Sequence, residues 1–305
     1  MKILVLCREP RLYSCQRLKQ ACQDRNIQLD ILDPNRMLIK LAVIDAQMQA
    51  QLYYQAGEIY DKCRAEPSLL AEYDAVLPRF GVSSTMMGCR VLDYFAAKKV
   101  VILNNSTAFR LARDKWSSLQ VLAAQHIPIP TSSFAGELFS TAAHIYQHRI
   151  PLVIKTCSGS QGVGVMLSES KVHSVSLLQT LQQAKVDNLL QDFVVEARGQ
   201  DIRAFVIGDR VVAAIERNGL ENDFRANIHQ GGSASVIQLN TVEQQLAVLA
   251  AKTIGLDIAG VDLIRSNKGL LVLEVNACPG LDGIEKASKL DIAGLIIDYL
   301  LAMKK

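Results

Sequence analysis

The sequence predicts an α/β amino-terminal region on a parallel sheet, followed by an α+β region in which antiparallel hairpins dominate. Three observations carry this. Short apolar strands alternate with helices through the first third, the pattern of a parallel sheet with helices packed on it. At Arg113 that alternation gives way to a different pattern. Two later strand pairs then carry turn signals from which a register follows. The 305 residues suit about two domains. With 50% hydrophobic and 21% charged residues the chain has ample core material and is not disordered.

The elements follow in order. Ile3 to Cys7 is an apolar strand, too short before Arg8 and Glu9 to be a secretory signal. Arg17 to Arg25 is helix-forming, and Leu29 to Leu32 is a strand stopped by Asp33-Pro34. The stretch from Ile39 to Arg64 is read as helix plus loop. Asp74 to Pro78 is a third strand, Met86 to Lys98 a helix, and Val100 to Leu103 a fourth strand. The first strand is followed by Arg8-Glu9-Pro10-Arg11 where a dinucleotide site would need G-x-G-x-x-G. Asp114-Lys115-Trp116 opens a helix to about Gln125, with Leu119, Leu122 and Ala123 on one face. Leu152 to Thr156 and Val165 to Leu167 are strands around a glycine-rich stretch, Lys171 to Gln183 is a helix, and Asn188 to Phe193 a strand. Thr241-Val-Glu-Gln244 is a capping-box helix start with Gly255 as its stop, and Ile292 to Ala302 is an amphipathic helix.

Charge and cysteine usage exclude some classes. Lys plus Arg is 33 against 30 Asp plus Glu, a net charge of +3, which does not mark a nucleic-acid binder. No apolar run approaches the roughly 18 residues of a membrane span. The seven cysteines form no C-x-x-C pair, so a structural zinc site is not indicated and a reduced, cytoplasmic protein is expected. His144 and His148 are four apart on an expected helix, in a polar segment with no third ligand nearby.

The two hairpins bring polar side chains together. In the first, the loop Gly208-Asp209 pairs Ile207 with Arg210. Counting back sets Arg203 opposite Ala214 and Asp201 opposite Glu216, so that Asp201, Arg203 and Glu216 share a face. In the second, the loop Asn267-Lys268-Gly269 pairs Ser266 with Leu270 and, further on, Asp262 with Glu274, with Asn276 on the same face. Val261, Leu263, Leu271, Leu273 and Val275 form the opposite, apolar face.

Directly opposed carboxylates repel, so Asp262 and Glu274 call for a cation between them unless both are simply solvated. Oxygen ligands alone select magnesium or manganese, held with substrate phosphates. Lys155 precedes Ser158-Gly159-Ser160-Gln161-Gly162-Val163-Gly164, a loop whose backbone N–H groups can approach phosphate, or an ordinary flexible hairpin loop. It is not a P-loop, because the lysine precedes the glycines. The strand–loop–strand order also occurs in protein kinases, but H-R-D is absent and the string nearest D-F-G is Asp223-Phe224-Arg225. Arg225, Asn227 and His229 lie in a polar stretch before Gly231-Gly232, either an anion clamp or a plain surface loop.

In succession, Arg113-Asp-Lys115, Lys155 with its glycine loop, Asp201-Ile-Arg203, Asp223-Phe-Arg225-Ala-Asn227, Val261-Asp262 and Glu274-Val-Asn276-Ala-Cys-Pro-Gly-Leu-Asp-Gly283 resemble the ATP-grasp superfamily. Leu12-Tyr-Ser14, Asn227-Ile-His229 and Gly283-Ile-Glu285 resemble its RimK branch, the ATP-dependent α-L-glutamate ligases. The resemblance spans essentially the whole chain. It implies a Rossmann-like pre-ATP-grasp domain over 1–112, a first ATP-grasp lobe over 113–192 and a second over 193–305. It implies nucleotide contacts from Lys115, Lys155, Ser158, Gly159, Gly162, Gly164, Asp192, Phe193, Asp201, Arg225, Ala226 and Asn227. Asp262, Glu274 and Asn276 would hold Mg2+ or Mn2+, two ions in this family. Asp192 stands where the family more often has glutamate, and Gln230 where arginine commonly follows the histidine.

The implied reaction transfers the γ-phosphoryl of ATP to an acceptor carboxylate, and the amine of L-glutamate then displaces phosphate to form an amide. Lys155 and Arg225 would offset charge on the transferred group, and Arg203 would hold a glutamate carboxylate. The implied acceptor is the carboxyl terminus of a small-subunit ribosomal protein, or a growing glutamate oligomer, with no nucleic acid or membrane as direct partner. A coenzyme tail or amino-acid carrier protein as acceptor, and a nucleotide-binding regulator without turnover, are the alternatives. Relatives in this family are often tetramers.

Overall fold

A computed structural model describes residues 1–57, 65–159, 162–220, 223–226 and 231–303. It divides into two compact units: Met1–Arg110 with Gly280–Asp282 and Asp291–Lys305, and Leu111–Pro279 with Gly283–Leu290. No helix among the described residues is long and apolar enough to cross a membrane.

The first unit contains the parallel sheet. Its strands are β1 (Lys2–Leu6), β2 (Gln28–Leu32), β6 (Ala75–Pro78) and β7 (Val101–Ile102), in the order β2-β1-β6-β7. Ile3, Leu4, Val5 and Leu6 are fully buried, as expected of a strand with neighbours on both sides and helices over both faces. Helix α1 (Tyr13–Gln23) packs on α9 (Ile292–Met303). Two ion pairs tie these elements: Arg25 Nε donates to Asp298 Oδ1 at 2.6 Å, and Arg17 Nη2 to Asp291 Oδ1 at 2.7 Å. Helix α2 (Thr85–Ala97) and α3 (Ser106–Arg113) follow β6 and β7.

The stretch read as helix plus loop is instead a β ribbon. Strands β3 (Met37–Ile44) and β4 (Gln47–Tyr54) pair antiparallel, and the short β5 (Ser68–Leu69) joins β4. The turn is Asp45-Ala46, both at positive φ (51° and 61°), the backbone of a two-residue type I′ hairpin without its usual glycine. Leu41 opposes Ala50 and Val43 opposes Met48; β3 is rich in apolar and β-branched residues, and in β4 Gln47, Gln49 and Gln51 alternate with Met48, Ala50 and Leu52, the period of a strand. Residues 58–64 of the expected loop, including Cys63, lie outside the described residues.

The second unit holds two antiparallel sheets. One has the order β10-β9-β11-β8, from β8 (Ser132–Ser133), β9 (Leu152–Thr156), β10 (Val165–Ser168) and β11 (Asn188–Asp192). Helices α5 (Thr141–Tyr146) and α6 (Lys171–Gln183) accompany it, and Ile145, Leu152, Ile154, Leu178 and Leu190 form its core. The other sheet has the order β14-β13-β12-β15-β16, from β12 (Gln200–Ile207), β13 (Arg210–Asn218), β14 (Ser233–Val236), β15 (Ile258–Ser266) and β16 (Gly269–Asn276). Helix α4 (Lys115–Ala124) and α7 (Thr241–Ile254) pack beside it, and α8 (Asp282–Ser288) follows β16.

Helix α4 begins where expected, with the Asp114 side chain capping Ser117 N. Helix α7 begins one residue earlier than the sequence indicated. Its cap is Asn240, whose Oδ1 accepts from Glu243 N while the Glu243 carboxylate accepts from Asn240 N, a reciprocal capping box. Gly255 closes the helix at φ 85°, as anticipated. The cap assignment predicts that Asn240→Ala costs about 1 kcal/mol, lowering the unfolding midpoint by about 2–4 °C. Thr241→Ala leaves the midpoint within about 1 °C, because a first-turn residue outside the cap contributes little. Differential scanning calorimetry of the two variants checks the pair.

Candidate active site

Both hairpins of the five-stranded sheet depart from their expected registers, and the departures build the site. In β12/β13 the turn pairing Ile207↔Arg210 holds. A bulge between Phe205 and Val206 then shifts the ladder by one, so Arg203 lies opposite Ile215 and Asp201 opposite Arg217. The expected partner Glu216 is therefore on the other face, opposite Ile202. Arg217, which sequence reasoning passed over, takes its place beside Asp201 and Arg203.

In β15/β16 the pairing Asp262↔Glu274 is as expected, but the extra residue is not in the turn. Ser266 pairs with Gly269 rather than Leu270, and the irregularity falls between Asp262 and Leu263. Beyond it the alternation flips, so Val272 is fully buried, whereas Leu271 and Leu273 are half-buried. Val261, Leu263 and Val275 remain in the core.

The result is a buried charge cluster. Arg203 donates bidentately to Asp262, Nε to Oδ1 at 2.7 Å and Nη2 to Oδ2 at 2.6 Å. Arg217 donates bidentately to Asp201, at 2.5 and 2.6 Å, and its Nη2 also reaches Asp262 Oδ2 at 2.9 Å. Burial pushes the Asp201 carboxyl up to about 6 against the pull of Arg217, and the Asp262 charge adds to the rise. Asp262 is buried too, yet Arg203 and Arg217 together hold it below the ordinary carboxylate range. Asn276 Nδ2 lies 3.4 Å from Asp262 Oδ2, and Glu274 is directly across the strand pair.

Asp262, Glu274 and Asn276 thus share one face, and two carboxylates with an amide are the donor set of a hard divalent cation. Among the described residues no group of three His, Cys, Asp or Glu side chains is placed to hold a metal, so the amide is needed to complete this one. Arg203, Arg217 and Asn276 occupy the acceptor positions of Asp262, which has about four. A cation binding there must share them or displace one of these donors.

Lys155 faces the same cluster. It is buried on β9, and its Nζ donates to Gln191 Oε1 at 2.6 Å. Burial pulls its pKa down to about 8, while the charges of Glu274 and Asp262 oppose the fall and Lys115 adds to it. Lys115, at the start of α4, donates to Gly159 O at 3.3 Å. Arg225 Nη1 donates to Gly162 O at 3.2 Å, and its Nε and Nη2 donate to Asp223. Two cations are thereby held at the glycine loop, with Lys155 on the strand that leads into it. Gly162 and Gly164 both take φ 77°, and a Cβ on Gly164 would come within 2.2 Å of Thr156 Oγ1, which itself donates to Ser158 O. A Cβ on Gly219 would meet Arg225 O at 2.1 Å, so glycine there lets the Arg225-Ala226 backbone lie close. Ser160, Gln161, Asn227, His229 and Gln230 lie outside the described residues.

Asp192 ends β11, and Phe193 follows it. The Phe193 ring meets Phe224 edge-on at 6.2 Å, with the Arg198 guanidinium 5.9 Å from the ring centre. His144 and His148 are buried rather than displayed on a polar helix face, and His148 falls beyond the end of α5.

Residues 112–300 match the RimK-like ATP-grasp domain, and residues 1–109 match the RimK pre-ATP-grasp domain. The chain is 98% identical over 305 residues to a protein of Haemophilus ducreyi named probable alpha-L-glutamate ligase, covering 100% of both. A protein of the same name from Histophilus somni is 55% identical over 300 residues, covering 98% of each. Among solved structures, the ATP-grasp ligase PsnB with minimal precursor, Mg and ADP has a TM-score of 0.72 at 20% identity, covering 99% of this chain and 97% of that one. A RimK domain ATP-grasp protein from Sphaerobacter thermophilus has a TM-score of 0.68 at 20% identity, covering 99% and 100%. The chain belongs to the RimK family of the ATP-grasp superfamily.

The cluster predicts a large cost for losing its shared cation. Arg217→Ala leaves Asp201 and Asp262 buried with one guanidinium between them, and the expected destabilisation is about 3–5 kcal/mol. Arg217→Lys recovers only part of it, since an ammonium cannot serve both carboxylates bidentately. Urea unfolding of the three proteins provides the check; an Arg217→Ala loss under about 1 kcal/mol contradicts the cluster's role.

Proposed function

Starting from that membership, we propose that the chain is an ATP-dependent α-L-glutamate ligase. The acceptor is the carboxyl terminus of a small-subunit ribosomal protein or a growing glutamate oligomer. The 98% and 55% identical relatives of that name support the glutamate reading. The single observation that carries the chemistry is the convergence of Asp262, Glu274 and Asn276 with buried Lys155.

In this reading 1–112 is the pre-ATP-grasp domain, and 113–192 and 193–305 are the two lobes that hold ATP. Lys115 and Lys155 bind nucleotide phosphates, and the loop from Ser158 to Gly164, through Gly159 and Gly162, covers them and keeps water from the acyl phosphate. Asp192 and Phe193 border the adenine, and Asp201 and the run Arg225, Ala226, Asn227 complete the nucleotide contacts. Asp262, Glu274 and Asn276 hold Mg2+ or Mn2+. Such an ion, when bound to these residues, would supply positive charge against the phosphates.

The chain's own work is positioning and charge compensation. The acceptor carboxylate oxygen takes the γ-phosphoryl and ADP leaves. The glutamate amine then forms the C–N bond, inorganic phosphate departs, and the amine gives up a proton. Lys155 and Arg225 lie where charge develops on the transferred phosphoryl. Arg203 would offer a glutamate carboxylate the same planar bidentate match that it now gives Asp262.

The test is incubation with ATP, MgCl2 and L-glutamate, reading ADP release and the mass of candidate acceptors. Glutamyl additions that disappear in Asp262→Ala and Glu274→Ala are expected. ATP turnover with no glutamylated product on protein or oligomer overturns the acceptor class. Lys155 adds a pH dependence. Its charge in the free protein is lost as pH rises through about 8, so metal-free ATP affinity falls above that pH, approaching about tenfold per pH unit. Lys155→Arg removes that fall because arginine stays charged, and isothermal calorimetry at pH 7 to 10 measures both. The linked stability runs the other way. Between about 8 and the unfolded value of 10.5 the unfolded chain binds the extra proton, so folding is favoured as pH rises.

A further inference from the structure

A chain of four buried or half-buried groups ends at the residue read above as the edge of the adenine site. His148 Nδ1 lies 2.7 Å from Asp192 Oδ1. Its Nε2 lies 2.5 Å from Ser133 Oγ, and the same hydroxyl lies 2.6 Å from His144 Nε2. The His148 side chain is 1% exposed. These residues come from three elements: Ser133 from β8, His144 from α5 with His148 just beyond it, and Asp192 from the end of β11.

With both imidazoles neutral, one proton arrangement satisfies every member. The Asp192 carboxylate only accepts, so neutral His148 carries its proton on Nδ1 and donates it there. That leaves the His148 Nε2 lone pair for the Ser133 hydroxyl proton. The Ser133 oxygen then accepts from His144 Nε2–H. Burial pulls the His144 pKa down, in keeping with a neutral ring. The order hydroxyl, imidazole, carboxylate is that of a nucleophilic triad, but the second imidazole caps the hydroxyl and the first is closed to solvent. The arrangement therefore fixes geometry.

What it fixes is Asp192. Its backbone N–H donates to Thr131 O at 2.8 Å, and its side chain is held by His148. With its backbone N–H on Thr131 and one carboxylate oxygen on His148, Asp192 is held at main chain and side chain alike, and Phe193 follows directly from that anchor. We propose that His148 is a positioning residue for nucleotide-base recognition, holding the Asp192-Phe193 segment through Nδ1 while Ser133 and His144 fix its tautomer. The proposal rests on the adenine reading of Asp192 and Phe193, and its test separates the two.

Calorimetry with MgATP and MgGTP, alongside steady-state kinetics, reads the effect. Wild-type protein that binds no MgATP sinks the nucleotide reading itself. If wild type binds, His148→Gln, which loses the donor facing Asp192, is expected to weaken MgATP about tenfold and narrow the preference over MgGTP. The kcat at saturating ATP and the KM for glutamate stay within about twofold, since no reacting group is touched. His148→Asn, which restores a donor near the Nδ1 position, recovers most of the affinity. Asp192→Ala and the double variant His148→Gln/Asp192→Ala bind no more weakly than about His148→Gln alone, because both break one contact. Unchanged MgATP affinity in His148→Gln, equal losses in the Gln and Asn variants, or a collapse of kcat with KM unchanged would each overturn the assignment.

Discussion

Arg217 is the residue on which the site depends. Two carboxylates, Asp201 and Asp262, are withdrawn from water on one face of the five-stranded sheet, and each raises the cost of charging the other. Arg217 touches both, and Arg203 adds a second bidentate pair to Asp262. The difference between the two acids follows from this. Asp262, with two guanidiniums, is held low, whereas Asp201, with one and with Asp262 as neighbour, is pushed up to about 6. A buried pair of this kind is weak support for stability as such, because desolvation offsets much of the attraction. On the proposed reading, its value lies in holding carboxylates and guanidiniums in fixed places for a cation and a polyanion.

Two irregularities in otherwise regular strands make that possible. Without the bulge between Phe205 and Val206, Glu216 would stand where Arg217 stands. Asp201, Asp262 and Glu274 would then share the face with a fourth carboxylate and only Arg203 to answer them. The irregularity at Asp262/Leu263 keeps Asp262 opposite Glu274 although the turn is one residue tighter than the loop suggests. Bulges of this sort re-aim side chains next to functional sites. Here they decide the sign of the charge at a buried position.

Local chemistry that involves few residues was legible in the sequence. The Asp114 helix start, the Gly255 stop and the parallel strands of the first unit follow from spacing and residue type, whereas the Asp262–Glu274 pairing matches because the extra residue expected in the turn lies at Asp262/Leu263 instead. Register beyond a bulge was not, because an extra residue leaves no mark on apolar alternation until the partner strand is known, so Arg217 went unseen. The β3/β4 ribbon was hidden for a related reason. Its turn uses Asp45-Ala46 in a backbone form that normally announces itself with glycine. The burial of His144 and His148 was hidden because polar neighbours in sequence disguise a polar network that is satisfied internally. A better signal for the first case was available: an arginine one position from an expected carboxylate, in a strand where the expected face held two acids already.

The glycine loop shows how the same groups can serve two states. Lys115 and Arg225 donate to the carbonyls of Gly159 and Gly162, and neutral carbonyls are modest acceptors. A triphosphate offers charged oxygens, and such hydrogen bonds are roughly twice as strong as neutral ones. On the proposed reading the two cations therefore pass from carbonyl to phosphate without large movement, since both already sit at the loop. Once the carbonyls are released, the backbone at Gly159, Gly162 and Gly164, all at positive φ, is free to turn its N–H groups toward the same anion. The cations that hold the loop in place would then be the ones that select its ligand, while Gly164 is required for a separate reason: Thr156 leaves no room there for a Cβ.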